Sequence, residues 1–292
     1  MRYFVRWVIH TMNWKVAKAF SYLIVLLLLV GGLIVLAHSC RDEVGTSFIA
    51  EILKVFNRLQ ASRHVRAAEA LLSQGRVEEA KTQLCKALEL DSKSFAAHSL
   101  LIVIYLTEGD AQSVEKLFKH AEANLPTEQV SLLYTDAGDR CAFFEPSNWG
   151  AAERYYQRAL TLNPNNAVAL NNYGYALAER GIKLKKAEKM IKQALALEPN
   201  NGAYLDSLGW VYYKQGRYEE AIKLIEKAIK LQPDDAELHY HLGMAYTAVG
   251  RLEDAKRQLE EALRINPNHK GASEAIKQLE QKREEAPMGE MA

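Results

Sequence analysis

The chain has 292 residues, 25% charged and 49% hydrophobic, the balance of an ordered protein and not of a disordered one. Its net charge of +1 hides an asymmetry, because Arg2, Arg6, Lys15, Lys18 and Arg41 stand in a stretch without Asp or Glu, while all 36 acidic residues and only 32 of the 37 basic ones lie beyond Arg41. A mildly acidic body argues against nucleic acid as a partner, and Cys40, Cys85 and Cys141 show neither a CxxC nor a zinc spacing, so no metal or cofactor is expected.

Residues 1–19 place Arg2, Arg6, His10 and Asn13 on one helical face and Val5, Val8, Ile9, Met12 and Val16 on another, a basic amphipathic segment suited to a membrane surface. Its interface residues are Arg2, Arg6, Trp7, Trp14, Lys15 and Lys18, cations for headgroups and indoles for the boundary. Residues 20–37 read FSYLIVLLLLVGGLIVLA without a charge, about 27 Å at helical rise, enough for a bilayer core. We therefore expect one N-terminal transmembrane helix, with residues 1–37 in contact with lipid. The basic residues crowd ahead of the span, so the positive-inside rule puts the N-terminus in the cytoplasm and the rest outside it, in the periplasm if the source is bacterial. A cleaved signal peptide, a lipoprotein signal ending at Cys40 and a mitochondrial presequence compete for the same stretch; the long apolar run argues for an anchor.

Residues 38–60 leave the span through Arg41, Asp42, Glu43 and Gly45, after which Thr46 or Ser47 can cap a helix bearing Ile49, Ile52, Leu53, Phe56 and Leu59 at helical spacing. This is a linker and a stalk or capping helix, and its apolar stripe is expected to be buried.

From Ala61 onward the sequence repeats. Residues 61–94 are marked by Gly75, Ala80 and Ala87, with Cys85 at an apolar position of the second helix, where a buried thiol acts as a small hydrophobe. Residues 95–128 keep Tyr105, Gly109, Phe118, Ala121 and Pro126, but Ile102 and Val114 replace small residues, which predicts looser or shifted packing. Residues 129–166 form a longer unit that keeps Ala152, Tyr156, Ala159 and Pro164; its extra length falls around Phe143, Phe144 and Trp149, which either cover a neighbouring helix or elaborate a functional face. Residues 167–201 carry Gly174, Ala187, Ala194 and Pro199, with one additional residue in the turn from Gly181 to Lys185. Residues 202–235 and 236–269 agree position for position: Leu208-Gly209 with Leu242-Gly243, Tyr212 with Tyr246, Gly216 with Gly250, and Ala221, Ala228 and Pro233 with Ala255, Ala262 and Pro267. Residues 270–285 read as a terminal capping helix and 286–292 as a frayed tail.

Each marker has a physical reason. Gly209 and Ala221 let two helices approach closely, Gly216 suits a left-handed helix end, and Pro233 stops the second helix, while Asp234, Asp235 and Asn268 can each cap the next helix in the chain. The unit is a helical hairpin. A period of this length with these residues at these offsets resembles the tetratricopeptide repeat (TPR) family. That resemblance implies an all-α solenoid of six hairpins, here behind one N-terminal transmembrane helix, with a concave groove lined by first helices.

The groove positions that the family uses fall here on Asn171 and Tyr175, on Asp206, Trp210, Tyr213 and Lys214, and on Tyr240 and Met244. Aromatic rings give rigid apolar area while Asn171, Asp206 and Lys214 offer polar anchors for an extended peptide, although Trp210 packing between hairpins is an equal alternative. Nothing in the repeats resembles a catalytic constellation, and His239 and His241, two apart on a helix, cannot share a metal as an i, i+4 pair would. We expect no enzyme but a membrane-anchored adaptor or scaffold for proteins or peptide segments, foremost a membrane protein complex. Two other readings are an accessory subunit held through the N-terminal segment and a periplasmic client chaperone for secretion or cytochrome maturation; in layout the chain resembles bacterial membrane-anchored TPR proteins. Exposed repeat faces also leave a route to self-association.

Overall fold

The computed structural model describes residues 43–144 and 148–285. The surface segment 1–19 with its six interface residues, the span 20–37, most of the linker and the tail 286–292 lie outside the described residues. Among the described residues, no helix is long and apolar enough to cross a membrane. The chain divides into two compact units, Met1–Ala97 and His98–Ala292.

In the first unit, α1 (Glu43–Ser73) and α2 (Val77–Leu90) form a hairpin. Ala61, Val65 and Ala68 of α1 and Ala80, Leu84 and Ala87 of α2 are its buried apolar residues, and His64 Nδ1 meets Gln83 Oε1 at 2.7 Å. The sequence divides a stalk helix from the first repeat at residue 60; the structure instead runs both as one helix of 31 residues. Neither Gly nor Pro interrupts residues 46–74, and the Ser62 hydroxyl donates to the Arg58 carbonyl one turn back, so nothing stops the helix there. The apolar stripe expected to be buried is open, with Leu53, Val55, Phe56 and Leu59 all 45% exposed or more. Cys85 also departs from expectation and is exposed, because it lies about 100° round α2 from Leu84, off the line of Ala80, Leu84 and Ala87.

The second unit takes in most of α3 (Phe95–Glu108), followed by α4 (Ala111–Asn124), α5 (Thr127–Asp139), a π-helical turn (Arg140–Phe144), α6 (Trp149–Leu162), α7 (Ala167–Glu179), α8 (Leu184–Leu197), α9 (Gly202–Lys214), α10 (Tyr218–Leu231), α11 (Ala236–Ala248), α12 (Leu252–Ile265) and α13 (Lys270–Glu285). Successive helices from α5 pair as hairpins, and the first helices of neighbouring hairpins touch in the series α5, α7, α9, α11, α13. This is an all-helical solenoid, with its core between the two helices of each hairpin.

The reason lies in one small residue per first helix. A Cβ placed on Gly138, Gly174, Gly209 or Gly243 would come within 2.6–2.8 Å of Tyr156, Ile191, Ile225 or Leu259 on the partner helix. Ala152, Ala187, Ala221 and Ala255 on the second helices are fully buried, completing the close approach. Asn166, Asn201 and Asp235 cap α7, α9 and α11 through their side-chain oxygens. At α13 the cap is the His269 ring, whose Nδ1 accepts from the Ala272 N–H at 3.1 Å, and not Asn268. The additional residue of the α7–α8 turn is absorbed by a second left-handed position, Lys183 at φ 49° after Gly181 at 65°; the Lys183 ammonium is held by Glu153 at 2.6 Å.

A candidate protein-binding groove

The first helices of the second unit present one shared row. On α7, Asn171, Tyr175 and Glu179 follow each other at intervals of four, so they stand on one face. Asp206, Trp210, Tyr213 and Lys214 extend the row on α9, and Glu237, Tyr240, His241 and Met244 on α11.

Trp210 is its centre and is only 4% exposed. One face of the indole stacks on Tyr213 (4.6 Å between centroids, 4° between planes) and it also stacks on His241 (4.0 Å, 18°), while its N–H donates to Glu179 Oε1. Lys214 Nζ lies 4.7 Å from the Trp210 centroid, and Tyr240 and Tyr175 approach His241 at 5.6 and 6.2 Å. Thus Tyr175, Asp206, Trp210, Tyr213, Lys214 and Tyr240 come together around His241. Asn171 donates to its neighbour Asn172 (3.1 Å), and Met244 stands one turn beyond Tyr240, half-buried. Trp210 is a packing element of the row; its half-buried neighbours Tyr175, Tyr213 and Tyr240 offer more surface.

His241 was not readable as a site residue, because its role comes from other helices. It is fully buried, and its Nδ1–H donates to Asp206 Oδ2 at 2.8 Å. Glu237 Oε1 stands 3.4 Å from Nε2. Burial alone would depress its pKa, but Asp206, Glu237 and Glu179 outweigh burial and raise it. Glu237 is shared, since its Oε2 accepts from His269 Nε2–H at 2.9 Å, the tautomer that the Nδ1 cap on α13 requires.

Gly138 reveals two further members of the row. It makes the same close approach as Gly174 and Gly209, which sets Asp139, one residue on, in line with Tyr175 and Trp210; Phe143, five residues on, has the offset of Glu179 and Lys214. Asp139 accepts from the Tyr156 hydroxyl (2.6 Å) and from Asn172 Nδ2 (2.7 Å), yet burial pushes its carboxyl up to about 6. The π-helical turn carries Phe143 to within 5.9 Å of Tyr175 and leaves Phe144 75% exposed. Trp149, by contrast, covers a neighbour, packing near Tyr173 beneath the Arg180 guanidinium, and Arg180 also donates to the Ala142 carbonyl in the turn. Of the two readings of this aromatic cluster, covering a neighbour describes Trp149, while Phe143 stands beside Tyr175 of the row. Gly138 was the available signal.

Comparison with known proteins places this architecture. Residues 35–282 match the TPR family model described as the Cilia and flagella-associated protein 70 C-terminal domain. The chain belongs to the TPR family. Over 164 residues it is 33% identical to the TPR repeat-containing protein PA4667 of Pseudomonas aeruginosa, covering 54% of this chain and 26% of that protein. The chain thus spans about a quarter of the length of the curated relative it matches. Among solved structures, it resembles a chain of the APC/C hetero-tetramer Cut9–Hcn1 (TM-score 0.55, 21% identity, 75% of this chain and 43% of that one). It also resembles the type IV pilus biogenesis factor PilW (0.55, 17%, 74% and 98%) and PilF of Pseudomonas aeruginosa (0.52, 19%, 76% and 99%). These structural likenesses carry the TPR fold alone; the side chains of the row belong to this chain.

Proposed function

We propose that this TPR protein is a membrane-anchored adaptor that holds an extended segment of a protein partner along the row from Phe143 to Tyr240. The single observation that carries this reading is the convergence of half-buried rings and polar groups from α7, α9 and α11 on one face. Rings supply apolar contact at low entropic cost, and buried polar groups fix direction. Residues 1–37 provide the tether in this reading, with the N-terminus cytoplasmic and the repeats outside the cytoplasm. The groove test is co-purification of partners in mild detergent with the intact chain and with Tyr213→Ser/Tyr240→Ser, which spares the buried Trp210. The reading expects partners to be lost from the variant while its helical content is unchanged; full retention would overturn it.

A second reading is favoured by the exposed stripe Leu53, Val55, Phe56 and Leu59, which lies shortly after the expected span: an accessory subunit bound to a membrane complex near the bilayer. Under it, partners survive the groove variant and are lost when α1 is given Leu53→Ser/Phe56→Ser.

A further inference from the structure

The row has a chemical bias that the general reading leaves open. Asn171 is 6% exposed and its Oδ1 has no hydrogen-bond donor among the described residues; Asp206 is 7% exposed and its Oδ1 is likewise unmet. Both are acceptors at equivalent positions of adjoining first helices, on the same face as Tyr175 and Trp210. An unmet buried acceptor is costly, and a donor-rich ligand would relieve it.

Charge points the same way. The carboxylates of Glu179, Asp206 and Glu237 all act on the Tyr175 hydroxyl, and those of Glu237, Glu179 and Glu274 on Tyr240. Against these four stand the Lys214 ammonium and, even when it is protonated, the single charge of His241, so the balance stays negative. Glu179 and Glu237 remain exposed beside the rings. Lys214 Nζ rests 4.7 Å from the Trp210 centroid, a cation of the same helix on the ring beneath this surface.

Building on the groove reading above, we propose that the surface between Tyr175, Glu179, Glu237 and Tyr240, over the buried Trp210, is a subsite for an arginine side chain of the bound segment. A guanidinium is all donor and no acceptor, planar enough to lie on a ring, and able to bridge two carboxylates. Lysine satisfies fewer of these groups and binds more weakly. An acidic or C-terminal carboxylate ligand meets like charge here.

The test uses the full chain in detergent micelles and fluorescein-labelled, otherwise neutral extended peptides with one central Arg, Lys, citrulline or Glu, read by anisotropy. Citrulline keeps the shape of arginine and removes the charge. The Arg peptide is expected to bind about tenfold or more tighter than the citrulline peptide, with Lys between them and Glu weakest. Glu179→Gln and Glu237→Gln, which keep acceptors for the Trp210 indole and His269, are each expected to shrink the ratio of Arg to citrulline affinity; an unchanged ratio in both overturns the arginine subsite. Equal binding of all four peptides, or a preference for Glu, overturns the arginine subsite and leaves the groove reading standing. Failure of every peptide to bind overturns both.

Discussion

Asp139 and His241 are buried side chains whose proton affinity the fold raises, and both make stability depend on pH. For Asp139 the folded carboxyl sits near 6 against an ordinary value of 3.8, because burial disfavours its charge. The folded state therefore binds the proton more tightly than the unfolded chain, and stability falls as pH rises through that window, by on the order of 2–3 kcal/mol at most. Asp139→Asn should flatten the fall in thermal midpoint between about pH 4 and 7; an unchanged slope would assign it elsewhere. For His241 the folded pKa is raised by Asp206 and its neighbours, against the effect of burial. The pair's contribution is fully present below the unfolded histidine value, about 6.5, and is lost as pH rises through the higher folded value. Melting curves of wild type and Asp206→Asn over this range should converge as pH rises; parallel curves would contradict the pairing. Asp206, Trp210 and Tyr240 could be placed on the groove from the repeat alone. His241 and Asp139 could not, since what matters about each is donated by a different helix.

The hairpin is legible in sequence because its contacts demand particular residues. Gly209 and Gly216 show two separate demands: the first is space, with Ile225 2.6 Å from where a Cβ would lie, and the second is backbone, with φ 77° and open space around it. Gly209→Ala should therefore cost about 1–3 kcal/mol through overpacking, and Gly216→Ala about 1–2 kcal/mol through the left-handed backbone. Adding Ile225→Ala, which removes the Cγ1 in the way, separates them: measured against Ile225→Ala alone, Gly209→Ala should cost clearly less melting temperature than it does in wild type while Gly216→Ala costs the same, and equal recovery in both would refute the distinction. Where an element depends on the absence of a signal, reading fails. α1 runs through residue 60 because nothing breaks it, while the repeat period invites a boundary there. The π-helical turn is a backbone adjustment without a residue signature of its own, so Phe143 was read as part of a long loop and not as a groove position.

Across the molecule, the repeat unit accounts for the solenoid, while the side chains exposed on its first helices are what a partner would meet. The proposed topology has its own check in Cys85, which is exposed, whereas Cys141 is buried. In a Cys40→Ser background, a membrane-impermeant maleimide should label Cys85 in spheroplasts of a bacterial host; labelling only after lysis would place the repeats in the cytoplasm. The central claim is that partners lie along the first helices of the second unit. Photo-crosslinking in cells addresses it directly, with a benzophenone side chain placed at Val168 or Ala203, exposed on α7 and α9, and at Lys189 or Lys227, exposed on α8 and α10. The account expects partner adducts from Val168 and Ala203 and none from Lys189 or Lys227. Adducts from the second helices alone, or equally from both faces, would contradict it.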